Sequence, residues 1–118
     1  TVLLEPVSGA AAYPLKTAAD ALSVIEKVGA GNLELLADLY HLAVNGDDVD
    51  AAIDAAKGRI GHVQIADAPG RHQPGTGDLP IGRWIEEIFA TGYDGWVACE
   101  YKPEGPSADS FGWLEGRR

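Results

Sequence analysis

Four short apolar segments recur along the chain, each too short for a helix and each followed by a turn or loop. They lie at residues 2–4, 33–37, 61–67 and 96–99. In the third segment, His62 and Gln64 alternate with Val63 and Ile65, so an extended backbone would carry a polar face and an apolar face. These patterns predict four buried strands.

Helical patterns fill the intervals between the predicted strands. Thr17 would cap the first helix, Asp47 or Asp48 the second, and the third would begin near Pro80. The order is therefore β-α-β-α-β-α-β, with polar strand ends 33, 26 and 36 residues apart, close to the roughly 30 residues of a βαβ unit.

Four parallel strands leave two edges unpaired, whereas a closed (β/α)₈ barrel takes about 250 residues. We therefore predict an α/β fold in which parallel β/α units form roughly half of a TIM barrel. The chain has 118 residues and no methionine, and a strand is predicted at its very start. These features indicate one domain at most, and a fragment of a longer chain.

Some side chains are expected to serve only packing or surface roles. Trp84 and Phe89 fall on the apolar stripe of the third helix and are predicted to be core aromatics. Cys99, in the last strand, is predicted to be a small buried residue. Glu34 alternates with Leu33 and Leu35, and we expect it to form an ion pair on the helix side of the sheet.

The composition excludes several classes of partner. The 18 acidic and 9 basic residues give a net charge of −9, and no basic cluster exceeds Arg117-Arg118, which disfavours nucleic acid. No apolar run approaches the about 20 residues of a membrane span, and no leader opens the chain. The single cysteine excludes an internal disulfide and fits a reducing compartment. We expect a cytoplasmic protein with no membrane partner.

Each predicted strand carries an oxygen-bearing side chain at its end, namely Glu5, Asp38, Gln64 and Glu100. Ligands of parallel α/β folds bind beyond the carboxyl ends of the strands, so these four side chains should converge. Carboxylates that meet repel one another unless a cation lies between them or protons are shared. Such oxygen donors suit Mg²⁺ or Mn²⁺ better than Zn²⁺. Recurrence at four strand ends, rather than any single residue, predicts a divalent metal site.

Four further side chains are candidates for supporting roles. Arg71 lies in a loop rich in Pro and Gly and could bind a carboxylate with two hydrogen bonds. Lys102 offers the same charge less specifically. His41, at the start of the loop after the second strand, is either a substrate contact or simply exposed. His62 lies one side-chain layer deeper than Gln64, where we expect it to support a neighbour rather than to contact metal.

These motifs resemble those of hydroxypyruvate isomerases, which belong to the xylose isomerase-like TIM barrels. The resemblance covers nearly the whole chain. It rests on Leu3-Leu4-Glu5-Pro6, Asp38-Leu39-Tyr40-His41, the stretch 61–67, the loop 69–77, the turn 92–96 and Cys99-Glu100-Tyr101-Lys102-Pro103.

The resemblance implies that residues 1–118 are the C-terminal part of such a barrel. It also implies that Glu5, Asp38, Gln64 and Glu100 are the metal ligands and that Glu5 and Glu100 move protons. The expected substrate is a small hydroxy or keto acid. The implied reaction interconverts hydroxypyruvate and 2-hydroxy-3-oxopropanoate through an enediolate.

Other readings stay open. A related sugar-acid isomerase or ketose epimerase could use the same metal site, although epimerases usually carry His-x-His where this chain has His62-Val63-Gln64. Endonuclease IV-like relatives need more histidines than the three present. In a different class, the chain could be a catalytically inactive half-barrel that self-associates through its open sheet edges into a homo-oligomer.

Overall fold

The structure is a computed structural model that describes residues 1–115. The basic pair Arg117-Arg118 lies outside the described residues. The strands are β1 (Val2–Leu4), β2 (Leu33–Asp38), β3 (Ile60–Ile65) and β4 (Val97–Cys99). The helices are α1 (Ala18–Val28), α2 (Leu39–Val44), α3 (Val49–Ala55) and α4 (Ile81–Ala90), followed by a 3₁₀ helix, Ser107–Leu114.

The four strands form one sheet in the order β1-β2-β3-β4, and every neighbouring pair is parallel. Helices cross over between consecutive strands, so the chain advances around the sheet without returning. This arrangement confirms the prediction of parallel β/α units that form about half of a TIM barrel. Because all four strands run the same way, their carboxyl ends lie at one rim.

The first crossover helix begins where its sequence predicts. Thr17 and Asp20 form a capping box: the Thr17 side chain accepts a hydrogen bond from the Asp20 backbone, and the Asp20 carboxylate accepts one from the Thr17 backbone at 2.9 Å. The helix ends at Gly29, whose φ of 66° is the left-handed conformation that glycine adopts at low cost. The buried residues of α1 pack in the core cluster.

Two short helices, rather than the single predicted one, occupy the interval between β2 and β3. Helix α2 starts directly after Asp38, which accepts hydrogen bonds from the backbones of Tyr40 and His41 at 3.0 and 3.2 Å. Asp48 caps α3, accepting from the Ala51 backbone at 3.1 Å. Helix α2 has only six residues, too few to give a clear apolar period.

The hydrophobic core lies between the sheet and the helices. Alternate strand residues face it, including Leu35 of β2 and Val63 and Ile65 of β3, all at most 1% exposed. Trp84 of α4 is buried in the same core, as predicted. The opposite face of the sheet carries the intervening residues of each strand, and these lead up to the polar rim.

Three predictions about individual residues are wrong. Glu34 lies on the face opposite the helices, beside Gly61, because the neighbouring Leu35 is the residue that enters the core. Phe89 is 47% exposed, since it falls at the margin of the buried stripe of α4. Cys99 is exposed because β4 is an edge strand with no further strand beside it among residues 1–115.

The helices of the described chain are short. The longest, α1, has 11 residues, and no helix within residues 1–115 has the length and apolar character needed to cross a membrane.

The capping box of α1 gives a direct test of this local structure. We expect Thr17→Ala to lower the free energy of unfolding by about 1 kcal/mol, because the Asp20 amide loses its side-chain acceptor. Denaturant unfolding followed by circular dichroism measures the change. Ser23→Ala in the same helix is the matched control and should change stability by less than about 0.5 kcal/mol. Equal effects of the two substitutions would contradict the capping role.

Candidate functional site

Three carboxylates and an imidazole converge at the rim formed by the strand ends. Each of Glu5, Asp38, His41 and Glu100 offers an atom within 4.8 Å of the corresponding atoms of the other three. Glu5 follows β1, Asp38 ends β2, and Glu100 follows β4. The structure therefore brings together the three acids that the sequence predicted to converge.

Gln64 belongs to the same group. It pairs with Asp38 in the β2–β3 register, and its Nε2 donates a hydrogen bond to Glu100 Oε1 at 3.0 Å. Its amide oxygen, Oε1, is fully buried and has no hydrogen-bond partner within residues 1–115. A buried carbonyl oxygen without a donor is costly, so this atom is suited to a cationic ligand.

Burial and mutual repulsion raise the pKa values of two acids at the rim. Burial raises the pKa of Asp38, which is 1% exposed, although the His41 backbone N–H acts in the opposite direction. Burial also raises the pKa of Glu5, and the neighbouring carboxylates of Asp38 and Glu100 add to the effect, while Arg71 opposes it. Both carboxyl groups are therefore easier to protonate than ordinary acids.

His41 lies in helix α2, where it is buried rather than exposed on a loop, and Ser8 contacts its ring. The Ser8 backbone N–H donates to its Nδ1 at 3.1 Å, and the Ser8 hydroxyl lies 2.7 Å from the same atom. Because a backbone N–H can only donate, Nδ1 is the acceptor and the neutral ring carries its proton on Nε2. Burial lowers the pKa of His41, opposed by Asp38, so the neutral ring is favoured near pH 7.

The Nε2 atom of His41 faces the acids. It lies 3.8 Å from Asp38 Oδ2 and 3.4 Å from Arg71 Nη2, and both distances exceed those of an ordinary hydrogen bond. An N–H group directed at this rim can donate to an oxygen placed there.

Arg71 supplies the positive charge at the rim. Its Nη2 donates to Glu100 Oε2 at 2.9 Å and lies 4.0 Å from Asp38 Oδ2. The guanidinium also lies over the Tyr40 ring, 5.0 Å from the ring centroid, a contact that favours a cation. The side chain is 38% exposed, so it remains accessible to a ligand.

The other two predicted site residues, Lys102 and His62, are placed by backbone contacts. Lys102 contacts the Arg71 loop through its backbone, donating to the Arg71 carbonyl at 2.9 Å. His62 lies opposite Leu36 in the sheet, two residues before Gln64. Neither the Lys102 ammonium nor the His62 ring forms a hydrogen bond or ion pair within the described chain, so their roles remain predictions.

The donors at the rim fit a hard divalent cation. Three carboxylates and one unsatisfied amide oxygen come from four different strand ends, and oxygen donors of this kind suit Mg²⁺ or Mn²⁺. The tautomer of His41 directs a proton rather than a lone pair toward the cluster. The residues that could hold a cation are therefore Glu5, Asp38, Gln64 and Glu100.

The sequence profile of the xylose isomerase-like TIM barrels matches residues 1–117. The chain belongs to this family. A Streptomyces coelicolor protein provisionally named a hydroxypyruvate isomerase is 51% identical over 107 residues, which cover 86% of this chain and 38% of that protein. A Cupriavidus necator protein named 2-oxo-tetronate isomerase is 37% identical over 117 residues, covering 98% of this chain and 45% of that protein.

A solved structure, described as an AP endonuclease of family 2 from Brucella melitensis, superposes with a TM-score of 0.93 at 32% sequence identity. The match covers all of this chain and 46% of that one. The chain thus spans less than half the length of each of these relatives. Together they confirm the predicted resemblance and the half-barrel fold.

Sequence reasoning missed two residues that shape the site. Ser8 orients His41 from 33 positions away, and no local pattern connects them. Asp67 is fully buried just after β3 and accepts hydrogen bonds from the loop that carries Arg71. The position of Asp67 between a buried strand and a loop rich in glycine was the signal in the sequence that could have identified it.

The raised pKa of Asp38 predicts a stability change with a definite sign. An acid whose pKa is raised by folding destabilises the folded state when ionised; this cost is absent below the ordinary pKa of 3.8 and complete above the folded pKa. Asn can replace the helix cap without the charge. We therefore expect Asp38→Asn to increase the free energy of unfolding at pH 7, in chelator, and to lose this advantage near pH 3.

Denaturant unfolding at the two pH values measures the effect of the Asp38 substitution. Asp48→Asn, the same change at the exposed cap of α3, is the matched control and should leave stability nearly unchanged at both pH values. An Asp38→Asn protein that is less stable than the unmodified one at pH 7 would contradict the electrostatic account.

Proposed function

We propose that residues 1–118 are the C-terminal part of a complete barrel that interconverts hydroxypyruvate and 2-hydroxy-3-oxopropanoate with the help of a divalent cation. The observation that carries the proposal is the meeting of Glu5, Asp38 and Glu100 at one rim. Gln64 joins them there through its Nε2 contact with Glu100, and its Oε1 is buried without a partner in the described chain. The relative named as a hydroxypyruvate isomerase supports the reaction.

The exposed sheet edges support the larger barrel. Val2 of β1 is 56% exposed, and Trp96, next to β4, is 83% exposed. Unpaired strand edges readily accept further strands, and further strands on both sides would bury these side chains. In the isolated 118 residues, a second copy of the chain could pair with the same sheet edges instead.

Glu5, Asp38, Gln64 and Glu100 would hold Mg²⁺ or Mn²⁺ at this rim. The cation would supply positive charge next to the two adjacent oxygens of the substrate, where negative charge develops during enolisation.

Glu5 and Glu100 are the proposed proton-transfer pair. One carboxylate removes a proton from the hydroxyl-bearing carbon of hydroxypyruvate, which gives an enediolate, and the other returns a proton to the neighbouring carbon. The hydroxyl proton passes from one oxygen to the other, so the net change is an isomerisation. The raised pKa of Glu5 brings this carboxyl closer to the range of a useful general base or acid.

Arg71, His41 and Lys102 are the proposed substrate contacts. The Arg71 guanidinium is accessible and can receive the substrate carboxylate in two parallel hydrogen bonds. The Nε2–H of His41 can donate to a substrate oxygen at the rim, because Ser8 occupies its other nitrogen. Lys102 adds positive charge on the same side, and His62 would support the ligands from below.

The surrounding charge favours a small anionic substrate over a polyanion. The chain carries a net charge of −9, which opposes a nucleic-acid partner, whereas Arg71 provides local positive charge for a single carboxylate. A cytoplasmic location, without a membrane partner, is part of the same proposal.

A second candidate is isomerisation of a longer sugar acid on the same site. The Cupriavidus necator relative, named 2-oxo-tetronate isomerase, favours it, whereas a ketose epimerase has less support because β3 carries His62-Val63-Gln64. Assays of the complete barrel with hydroxypyruvate, a 2-oxo-tetronate and a neutral ketose, each with Mg²⁺ and Mn²⁺, distinguish these. Preference for the four-carbon acid would replace the first candidate with the second.

Replacing either proposed proton-transfer residue tests the reaction. In the complete barrel, Glu5→Gln and Glu100→Gln should each lower kcat at least a hundredfold, because general acid or base catalysis typically contributes about 10²–10⁴. Circular dichroism should show an unchanged fold. Glu104→Gln, at an exposed residue just beyond β4, is the control and should retain full activity. Near-normal turnover in both variants would end the assignment.

The proposed carboxylate contact predicts an effect on substrate binding. Arg71→Lys should raise KM for hydroxypyruvate about tenfold, because it loses a bidentate charge-assisted pair worth roughly 1.5–3 kcal/mol and keeps only a point charge. Arg83→Lys, at a surface arginine paired with Asp50 and Glu87, is the matched control. Steady-state kinetics that show the same KM for both variants would rule out the contact.

A further inference from the structure

Asp67 is a buried carboxylate that the proposed reaction does not use. It follows β3 by two residues and is 0% exposed. Its Oδ1 accepts hydrogen bonds from the backbones of Ala68 at 2.8 Å and Leu79 at 3.0 Å. Its Oδ2 accepts from the backbones of Gly75 at 2.8 Å and Gly77 at 3.0 Å. One side chain thus satisfies four amides spread along residues 68–79.

The backbone closes tightly around this carboxylate. The Asp67 amide donates to the His72 carbonyl at 2.9 Å, and the Asp78 amide donates to the Ala68 carbonyl at 2.7 Å. A Cβ atom at Gly77 would collide with the Ala68 carbonyl group and approach Asp67 Oδ1 within 2.7 Å. The loop can therefore wrap the carboxylate only because residue 77 is glycine.

The same loop presents Arg71 to the rim. Arg71 has a φ of 59°, an uncommon value for a residue with a side chain, which persists only where surrounding contacts hold it. Its guanidinium reaches Glu100, its carbonyl accepts from the Lys102 amide at 2.9 Å, and the neighbouring His72 donates from Nδ1 to the Lys102 carbonyl at 2.6 Å.

We infer that Asp67 is a positioning residue: its four backbone hydrogen bonds hold loop 68–79 so that Arg71 meets both Glu100 and the substrate carboxylate. Hydrogen bonds to an ionised acceptor are stronger than neutral ones, and four of them on one rigid carboxylate fix the loop in a single arrangement. Burying a carboxylate such as Asp67 costs free energy of desolvation, so packing alone does not account for this residue. The expected effect of Asp67 on turnover rests on the proposed function, whereas its expected effect on the conformation of loop 68–79 does not.

The test uses Asp67→Asn in the complete barrel. Asparagine has nearly the same shape, but its NH₂ group would face two backbone N–H donors in place of an acceptor. Hydrogen exchange should accelerate at least tenfold at the amides of Gly75, Gly77 and Leu79 and stay unchanged in α1. The NMR signal of the Arg71 Nε–H should shift or broaden. Neither readout depends on catalysis.

A double-mutant cycle separates positioning from a general structural role. We expect Asp67→Asn to lower kcat/KM for hydroxypyruvate about tenfold in the unmodified protein but less than twofold when Arg71 is already alanine, because coupled residues are non-additive. Equal losses in both backgrounds would overturn the inference. If the unmodified barrel does not turn over hydroxypyruvate, the proposed function fails, and an unchanged Arg71 signal would overturn the positioning role separately.

A second variant covers the case in which Asp67→Asn does not fold. Gly77→Ala keeps the carboxylate but displaces the loop around it, so the same shift of the Arg71 signal and the same tenfold loss are expected. Gly105→Ala, where a Cβ meets no atom within 4 Å, is the matched control and should change neither. An unaltered Arg71 signal in Gly77→Ala would contradict the inference.

Discussion

The site depends on one constraint: four parallel strands deliver three acidic side chains and one amide to a single rim, where like charges must be tolerated. Helices pack against the other face of the sheet, and the strand register places Gln64 beside Asp38. Arg71 offsets part of the charge. Burial first, and the neighbouring carboxylates second, raise the pKa values of Glu5 and Asp38. A divalent cation is the natural complement to such a rim.

Two residues behind the rim, Ser8 and Asp67, orient the side chains that are proposed to bind the substrate. Ser8 places a backbone N–H on one nitrogen of His41, so the other nitrogen presents a proton to the rim. Asp67 gathers the loop that carries Arg71. Ser8 acts through His41 and Asp67 acts through the backbone of loop 68–79, and together they set the direction of the two groups proposed to bind substrate. Support of this kind is what gives an active site its accuracy.

The sequence predicted the parallel half-barrel and the meeting of three acids because both follow from local patterns. Short apolar runs that end at Glu5, Asp38 and Glu100 are visible without tertiary information. Helix α2 was missed because six residues give no clear period. Cys99 was misplaced because burial of a strand depends on its neighbours in the sheet. Glu34 shows that alternation fixes two faces but does not say which face meets the helices.

The central claim is that side chains from four strand ends surround one divalent cation. The most direct measurement is a crystal structure of the complete barrel grown with Mn²⁺, with anomalous scattering recorded to locate the metal. The account predicts one strong anomalous peak bounded by oxygens of Glu5, Asp38, Gln64 and Glu100. A fully ordered rim without a peak, or a peak elsewhere in the barrel, would contradict it.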